Sequence, residues 1–336
     1  MSRRRSASAL TRALNKVTRS MLRAGQRAAG DMMLRSAKAV AQHRAPPVGQ
    51  GDWIAGQAVG PAGLRRFHLF RPRGVGKAER LPLLVMLHGC GQTASQFGQS
   101  TRMNPVAVRE RFLVLYPEQD RSANPQGCWN WYDTRSRHAD AEAATLMKAI
   151  EQVCLLYPVD AGAVAVAGFS AGASMAALLA VRYPTRFCAV AMHAGVPPGR
   201  AQSAAGALAA MGGRRHDAGA SLPQNLPPLL VIHGRDDHVV AAGNGQAAVA
   251  DWAQPVGARA TAPRRVQRGQ RLAMTVSDYR CGRRLRARLC EVEGLGHAWS
   301  GGDAGQAFSD PRGPDASRLI WRFVAERLRE GKPAPP

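Results

Sequence analysis

The sequence of 336 residues has few aromatic side chains, few acidic side chains and no unbroken hydrophobic segment of membrane-spanning length. Aromatic residues make up 6% of the chain, and 23 acidic residues stand against 46 basic ones. The one long uncharged stretch, residues 161–181, is interrupted by Gly162, Gly168, Ser170 and Gly172. This pattern predicts a buried strand, a turn and a helix rather than a membrane span. No apolar segment of signal-peptide length follows the basic N-terminus, so we recognise no secretory signal.

The six cysteines are widely spaced and form no C-x-x-C pattern, so their spacing does not assign a redox compartment. No internal repeat is visible. Hydrophobic residues make up 45% of the chain, which is enough for one large α/β domain or two small ones.

Positive charge is concentrated in two zones. The formal net charge is +23; residues 1–50 hold eleven Lys and Arg against one acid, and residues 259–288 hold ten Arg against one acid. Such zones can contact a polyanion or an anionic surface, or they can be a solvated tail and an exposed hairpin. Almost no aromatic residue lies among the arginines, so we expect no specific nucleic-acid partner.

Residues 8–42 are predicted to form a basic amphipathic helix, because apolar residues recur every three or four positions. Such a helix could lie on an anionic surface or a polymer granule, or pack on the following domain. Residues 45–51 are typical of a linker. We therefore divide the chain into an N-terminal segment (1–50), a catalytic domain (51–331) and a short tail (332–336).

After the linker, strands and helices alternate. Strands are predicted at Arg65–Arg71, Leu83–Leu87, Phe112–Tyr116, Ala163–Gly168, Phe187–His193, Leu229–His233 and Leu289–Val292, and helices at Asp140–Tyr157, Ala171–Tyr183, Asn244–Trp252 and Asp315–Arg329. This order indicates an α/β fold, a mostly parallel sheet with helices on both faces. The Ala- and Gly-rich segment Ala201–Ser221 is predicted to be an irregular excursion over the sheet.

Residues 168–172 match G-x-S-x-G between an apolar strand and an apolar helix. A serine at a sharp strand-to-helix turn needs small residues two positions away on either side. The turn exposes the hydroxyl near a helix N-terminus, which favours developing negative charge. Ser170 is therefore predicted to be a nucleophile; the alternative is a glycine-rich packing turn.

A serine nucleophile needs a base, and in α/β-hydrolases the order along the chain is Ser, then Asp, then His. Asp236 and Asp237 follow an apolar strand, and we favour Asp237 as the orienting acid. His297 lies in a glycine-bearing loop after the last strand and is the predicted base. His238 is a second candidate base, whereas His88, His193 and His233 lie at strand ends and are predicted to be structural.

Several segments together resemble the esterase family of poly(3-hydroxybutyrate) depolymerases, specifically the short-chain-length polyhydroxyalkanoate type. They include LPLLVMLHGCGQTASQF, FLVLYPEQ, GCWNWY, VIHGRDDHVV and GLGHAWSGG, in family order over residues 53–330. The resemblance implies an α/β-hydrolase that hydrolyses esters through an acyl-serine intermediate, with Ser170, Asp237 and His297 as the triad. It implies no metal and no organic cofactor, and an extracellular location; because we recognise no secretory signal, a cytoplasmic or granule-associated location is the alternative. The elbow departs from the family's usual S-A-G-G-A at Ala173 and Ser174.

The expected substrates are short-chain hydroxyalkanoate polyesters, their oligomers or small esters. The alternatives are a feruloyl or acetylxylan esterase and, from another class, a granule- or surface-binding protein with a vestigial hydrolase domain. The amides of Cys90, or its neighbour Gly91, and of Ala171 are predicted to form the oxyanion hole. Trp129, Trp131 and Trp299 are predicted to contact substrate, with burial in the core as the alternative.

Cys90 and Cys128 lie in two segments that should leave the same edge of the sheet. We predict that they form a disulfide that holds the oxyanion loop; the alternative is a small buried thiol that only packs. A Cα separation above about 7 Å would exclude the bond.

Overall fold

The computed structural model describes residues 46–76, 78–213 and 222–330. The strands are β1 Gly51–Gly60, β2 Gly63–Pro72, β3 Leu81–Leu87, β4 Leu113–Pro117, β5 Val159–Phe169, β6 Ala189–His193, β7 Leu229–Gly234, β8 Arg259–Ala260, β9 Arg264–Val266, β10 Met274–Cys281, β11 Arg284–Val292, β12 Trp299–Ser300 and β13 Ser309–Asp310. The helices are α1 Ala94–Thr101, α2 Met103–Glu110, α3 His138–Leu156, α4 Ala171–Arg182, α5 Ala204–Met211, α6 Gly243–Ala253 and α7 Ala316–Glu330. None of these described helices is long and apolar enough to cross a bilayer.

Eleven strands form one sheet in the order β1-β2-β4-β3-β5-β6-β7-β11-β10-β8, with β9 also paired to β10. The six strands from β4 to β11 in this order run parallel, and antiparallel strands flank them on both sides. Parallel strands buried on both faces need near-continuous apolar sequence, and β3, β5 and β7 have it. The predicted α/β-hydrolase architecture with a mostly parallel sheet is confirmed.

Two hydrophobic layers cover the two faces of the sheet. Alternate residues of a strand point to opposite faces, so Leu83 and Val85 of β3 pack with α3, α4 and α6. Leu84 and Met86 of the same strand pack with α1, α2 and α7 on the other face. Helices on both faces fix the parallel sheet and leave its carboxyl edge open for loops.

Each predicted strand and helix of the catalytic domain overlaps an observed element, with boundaries shifted by a few residues. The segment Ala201–Ser221 was predicted to be irregular, but α5 occupies part of it and is capped by the Ser203 side chain. Short or weakly periodic elements such as β1, α1 and α2 were not predicted. The predicted N-terminal helix (8–42), the first residue of the linker and the tail (332–336) lie outside the described residues, whereas residues 46–50 of the linker are described and form no helix or strand.

The sheet order creates a switch point between β3 and β5. The chain leaves β3 toward β4 on one side and leaves β5 toward β6 on the other. Adjacent strands whose connections diverge in this way form a crevice at their carboxyl ends, where ligands of open α/β sheets bind. The segments that follow β3 and β5, including Cys90 and Ser170, therefore lie at this crevice.

Candidate active site

Ser170 occupies the sharp turn between β5 and α4. Its φ of 54° and ψ of −122° are rare for a residue with a side chain, and such strain persists only where the surroundings enforce it. The Ser170 amide donates a hydrogen bond of 2.9 Å to the carbonyl of His193 at the end of the neighbouring strand. The turn is therefore fixed from both sides, by α4 and by β6.

The two glycines of the G-x-S-x-G segment are required by close backbone contacts. A Cβ atom at Gly168 would overlap the backbone of Gly172 and Ala173 across the turn. A Cβ atom at Gly172 would overlap the carbonyl groups of Leu87 and His88 at the end of β3. The glycines thus allow the turn to close and bring it against the loop that follows β3.

His297 joins Ser170 to a buried carboxylate. Its Nε2 lies 3.0 Å from Ser170 Oγ, and its Nδ1 lies 2.8 Å from Asp237 Oδ2. The side chain of Asp237 is fully buried. Its second oxygen, Oδ1, accepts hydrogen bonds from the amides of Val239 (2.9 Å) and Val240 (2.8 Å), which fix the carboxylate.

The position of the proton on the His297 ring follows from the ionisation state of Asp237. Burial raises the pKa of its carboxyl, but the hydrogen bond and charge of His297, with the Val240 amide, outweigh burial and the pKa is lowered. An ionised carboxylate can only accept hydrogen bonds, so Nδ1 of His297 carries the imidazole proton. The Nε2 lone pair is then free to accept the Ser170 hydroxyl, as a general base requires.

The two competing candidates lie outside this chain of hydrogen bonds. The side chain of Asp236 is exposed, and its amide donates to the carbonyl of Leu295. His238 is also exposed. Within the described part of the chain, neither side chain forms a hydrogen bond or ion pair with Ser170 or His297.

The three strand-end histidines are buried hydrogen-bonding groups. His88 Nε2 accepts the amide of Gln119 at 3.0 Å, and His193 Nε2 accepts the amide of Ser300 at 3.1 Å. Burial lowers the pKa of His88, His193 and His233, that of His193 to about 3. They are therefore neutral at ordinary pH and tie neighbouring loops to the sheet.

The loop after β3 is held by a disulfide between Cys90 and Cys128, whose Cα atoms lie 4.2 Å apart. Next to it, Trp129 Nε1 donates a hydrogen bond of 3.0 Å to the carbonyl of His88. Among the described residues, no acceptor is within hydrogen-bond range of the amides of Cys90 and Ala171. An oxyanion hole needs donors without partners near the nucleophile, and the role of these two amides in such a hole stays a prediction.

The prediction that Trp129 and Trp299 contact substrate is wrong, because both side chains belong to the core. Trp129 is 0% exposed and Trp299 is 1% exposed. Each ring nitrogen already has an acceptor, the hydroxyl of Ser317 at 3.3 Å in the case of Trp299. Trp131 is 7% exposed and packs edge-on against Tyr132, so its contact with substrate stays a prediction.

A buried polar network behind the disulfide was not predicted. Arg65 is fully buried, hydrogen-bonds the side chain of Gln119 and lies 3.8 Å from a carboxylate oxygen of Glu142. Gln119 in turn donates to Glu142 (2.6 Å) and to the carbonyl of Cys128 (2.8 Å). A single arginine in a strand gives no signal in the sequence, because exposed and buried arginines look alike there.

The site therefore contains a hydroxyl, a base aligned with it, a carboxylate that orients the base, and two unpaired amides. This set of groups can perform acyl transfer. In the described ranges, no three His, Cys, Asp or Glu side chains form a group that could hold a metal ion.

The fold and the geometry of this site define a class: the protein is an α/β-hydrolase by fold. The family model described as esterase PHB depolymerase matches residues 65–270, more than half of the chain. The chain belongs to this family. The match includes Ser170 and Asp237 and ends before His297.

Among curated relatives, poly(3-hydroxyalkanoate) depolymerase C of Paucimonas lemoignei is 28% identical over 190 residues, 52% of this chain and 45% of that protein. Feruloyl esterase B of Thermothelomyces thermophilus is 26% identical over 198 residues, 54% of this chain and 67% of that protein. The first of these matches thus spans less than half of the relative. The solved acetyl xylan esterase from Aspergillus awamori superposes with a TM-score of 0.58 at 18% identity, covering 73% of this chain and 94% of that one.

Proposed function

We propose that the protein is a serine esterase that cleaves short-chain hydroxyalkanoate esters, with Ser170 as nucleophile, His297 as base and Asp237 as orienting acid. The observation that carries this proposal is the continuous hydrogen-bonded chain from Ser170 Oγ through His297 to Asp237. The same three residues, in the same order, are those that the sequence motifs predict.

In the first half of the reaction, Ser170 Oγ bonds to the ester carbonyl carbon while its proton moves to Nε2 of His297. Asp237 stabilises the imidazolium through Nδ1. The tetrahedral intermediate then collapses, the alcohol leaves with the proton from His297, and an acyl-serine remains. Water attacks the acyl carbon as His297 takes its proton, and Ser170 Oγ then departs with that proton from His297, which releases the carboxylic acid and restores the free serine.

The amides of Cys90 and Ala171 are the proposed donors to the oxyanion. Each such donor is typically worth about 3 kcal/mol of transition-state stabilisation. Donors contribute this only if they are already oriented, and the disulfide to Cys128 and the helix start at Ala171 restrict both backbones. The geometry of the loop after β3 is therefore part of the proposed catalytic apparatus.

The substrate class rests on the family and on the depolymerase relative. A second candidate, a sugar ester of the acetyl or feruloyl kind, is favoured by the acetylxylan and feruloyl esterase relatives. A panel of 3-hydroxybutyrate oligomers, amorphous polymer, acetylated xylan and methyl ferulate separates the two. We expect the highest kcat/KM on the hydroxybutyrate esters; higher values on the sugar or feruloyl esters would replace the first candidate with the second.

The control for the panel is Ser170→Ala, which removes the nucleophile and leaves the surrounding backbone in place. Wild-type protein is expected to hydrolyse p-nitrophenyl butyrate, and the variant is expected to lose at least about 10³-fold in rate. If purified Ser170→Ala retains wild-type activity, the serine esterase mechanism fails. Wild-type protein without activity on any ester of the panel would instead favour a surface-binding role with a vestigial hydrolase domain.

The basic N-terminal segment is proposed to contact an anionic surface or a polymer granule, on the basis of its charge and apolar periodicity. The test compares the full chain with a chain that lacks residues 1–44 for partition onto polymer granules and anionic vesicles. We expect the shortened chain to partition less. Unchanged partition would reject the surface role of the N-terminal segment. It would not bear on the proposal that the protein is an esterase.

A further inference from the structure

A second cavity, of about 370 Å³, lies away from Ser170 and His297, between α7 and the strands β9, β10 and β11. Its volume falls in the range of small-molecule sites in proteins. Six arginines line it: Arg264, Arg268, Arg271, Arg288, Arg318 and Arg322. Four of the ten arginines in the basic zone at residues 259–288, which the proposed esterase reaction does not use, thus line one cavity.

Half of the six arginines that line the cavity have an acidic partner, and one of these pairs joins Arg288 to Asp278; Arg271 has none within the described ranges. Two acidic residues, Asp315 and Glu326, also line it, and they form exposed ion pairs with Arg318 and Arg322. Arg264 and Arg268 are exposed, and neither forms an ion pair within the described ranges. The cavity therefore has an excess of positive charge that an anion could balance.

Hydrogen bonds hold Arg288 and Arg271 in place, and these bonds do not involve the other arginines that line the cavity. The guanidinium of Arg288 makes two hydrogen bonds to Asp278, of 2.6 and 2.9 Å. Arg271 donates to the carbonyl of Gly313 at 2.6 Å and to that of Pro311 at 3.3 Å. These bonds hold the walls, so the cavity does not need a ligand to keep its shape.

The floor of the cavity is apolar. It is formed by the buried side chains of Met274, Val276, Cys290 and Phe323, with Leu272 partly buried beside them. A simple inorganic anion would leave this surface uncovered, and a neutral lipid would leave the arginines without a partner. An apolar floor beneath a cationic rim is complementary to an anion that carries a hydrocarbon chain.

We propose that this cavity binds an amphiphilic organic anion, a medium-chain carboxylate or its phosphate equivalent, with its head group between Arg264 and Arg268 and its chain over Met274 and Phe323. The chain's own N-terminal segment is a poor occupant, because residues 1–45 carry eleven Lys and Arg and one acid. Like charge on both sides would oppose its binding.

The test is titration calorimetry of the full chain with sodium decanoate. We compare wild type with Arg264→Ala/Arg268→Ala and with Arg283→Ala/Arg284→Ala. Arg283 lies in the turn between β10 and β11 and Arg284 is the first residue of β11; both are exposed and outside the cavity, and their replacement removes the same charge from the same basic zone. We expect saturable binding at one site, weakened at least tenfold in the first variant and changed less than twofold in the second.

Three further ligands identify what is recognised. Decanol lacks the charge and acetate lacks the chain, and both are expected to bind at least tenfold more weakly than decanoate. Decyl phosphate determines which anionic head group the arginines prefer. Equal loss in the two double variants, or decanoate binding unaffected by Arg264→Ala/Arg268→Ala, would overturn the proposal. Esterase activity of both variants is measured in parallel, and its retention separates this site from the proposed catalytic one.

Discussion

Replacement of Asp237 by asparagine should inactivate the enzyme through the tautomer of His297. In the wild type, Oδ1 of Asp237 accepts two backbone amides, from Val239 and Val240, and Oδ2 accepts the proton of His297 Nδ1. The asparagine carbonyl oxygen must keep the first position, because an NH₂ group there would face two N–H donors. The new NH₂ group therefore faces Nδ1 and donates to it.

An imidazole that accepts at Nδ1 carries its proton on Nε2, where it can no longer accept the hydroxyl of Ser170. The opposite amide orientation would restore the base but leave the amides of Val239 and Val240 unpaired, at about 1–3 kcal/mol for the buried amide of Val240. The wrong tautomer therefore dominates. A loss of about 10⁴ in kcat is expected, as for this exchange in other serine triads. It corresponds to about 5 kcal/mol in the activation barrier.

The assay is hydrolysis of p-nitrophenyl butyrate by Asp237→Asn, with thermal unfolding to show that the fold persists. Asp236→Asn is the matched control, since it changes the same charge one residue away on an exposed side chain. We expect the control to retain activity within twofold. If Asp237→Asn keeps more than a tenth of wild-type kcat, or Asp236→Asn falls equally, the assignment of Asp237 is refuted.

Three further predictions concern the supports of the site. Cys128→Ser should reduce kcat by up to about 10²-fold with little change in KM, because the loop after β3 loses its disulfide. Cys154→Ser, which changes a free cysteine, should leave kcat unchanged, and equal losses in the two variants would contradict the prediction. Arg65→Ala should lower the free energy of unfolding by about 3–5 kcal/mol in urea denaturation, because it leaves Glu142 buried without a charge partner. Burial lowers the pKa of His193 to about 3 in the folded protein, from 6.5 for an ordinary histidine, so the unfolded chain binds more protons and stability falls as pH drops from 6.5 toward 3. At pH 5 the loss is about 2 kcal/mol, and His193→Gln should flatten the pH dependence of urea unfolding by that amount; an unchanged slope would contradict it.

The order of strands and helices was predictable because the central strands are buried on both faces and therefore read as continuous apolar runs. The flanking strand β1 is mostly half-exposed, with a mixed burial pattern, and gives no such run. The short helices α1 and α2 are eight residues each, too short to show a periodic stripe. One local signal does exist for α1, the capping box of Thr93 and Gln96, whereas α2 has no side-chain cap and depends on packing against the sheet.

Within the site, the residues predicted from the sequence are those whose chemistry requires a fixed local context. Ser170 needs glycines on either side, and His297 follows a strand and glycines in a set chain order. The tryptophans carried no such constraint: Trp129 and Trp299 occur in loops near the site, and the sequence does not distinguish a ring that lines a crevice from one that supports it. Arg65 was missed for the same reason, since only tertiary contacts bury it.

His193 illustrates how buried polar groups maintain the geometry of Ser170 and His297. Its carbonyl accepts the amide of Ser170, and its ring accepts the amide of Ser300, three residues after His297. One residue at the end of β6 thus binds the strained turn and the loop that carries the base. Because the ring accepts through Nε2, it can hold Ser300 only while that nitrogen is unprotonated, and its lowered pKa keeps it so. Burial of His193 therefore keeps the Ser170 turn and the loop of His297 in fixed relative positions at any pH at which an ester hydrolase with a histidine base is active.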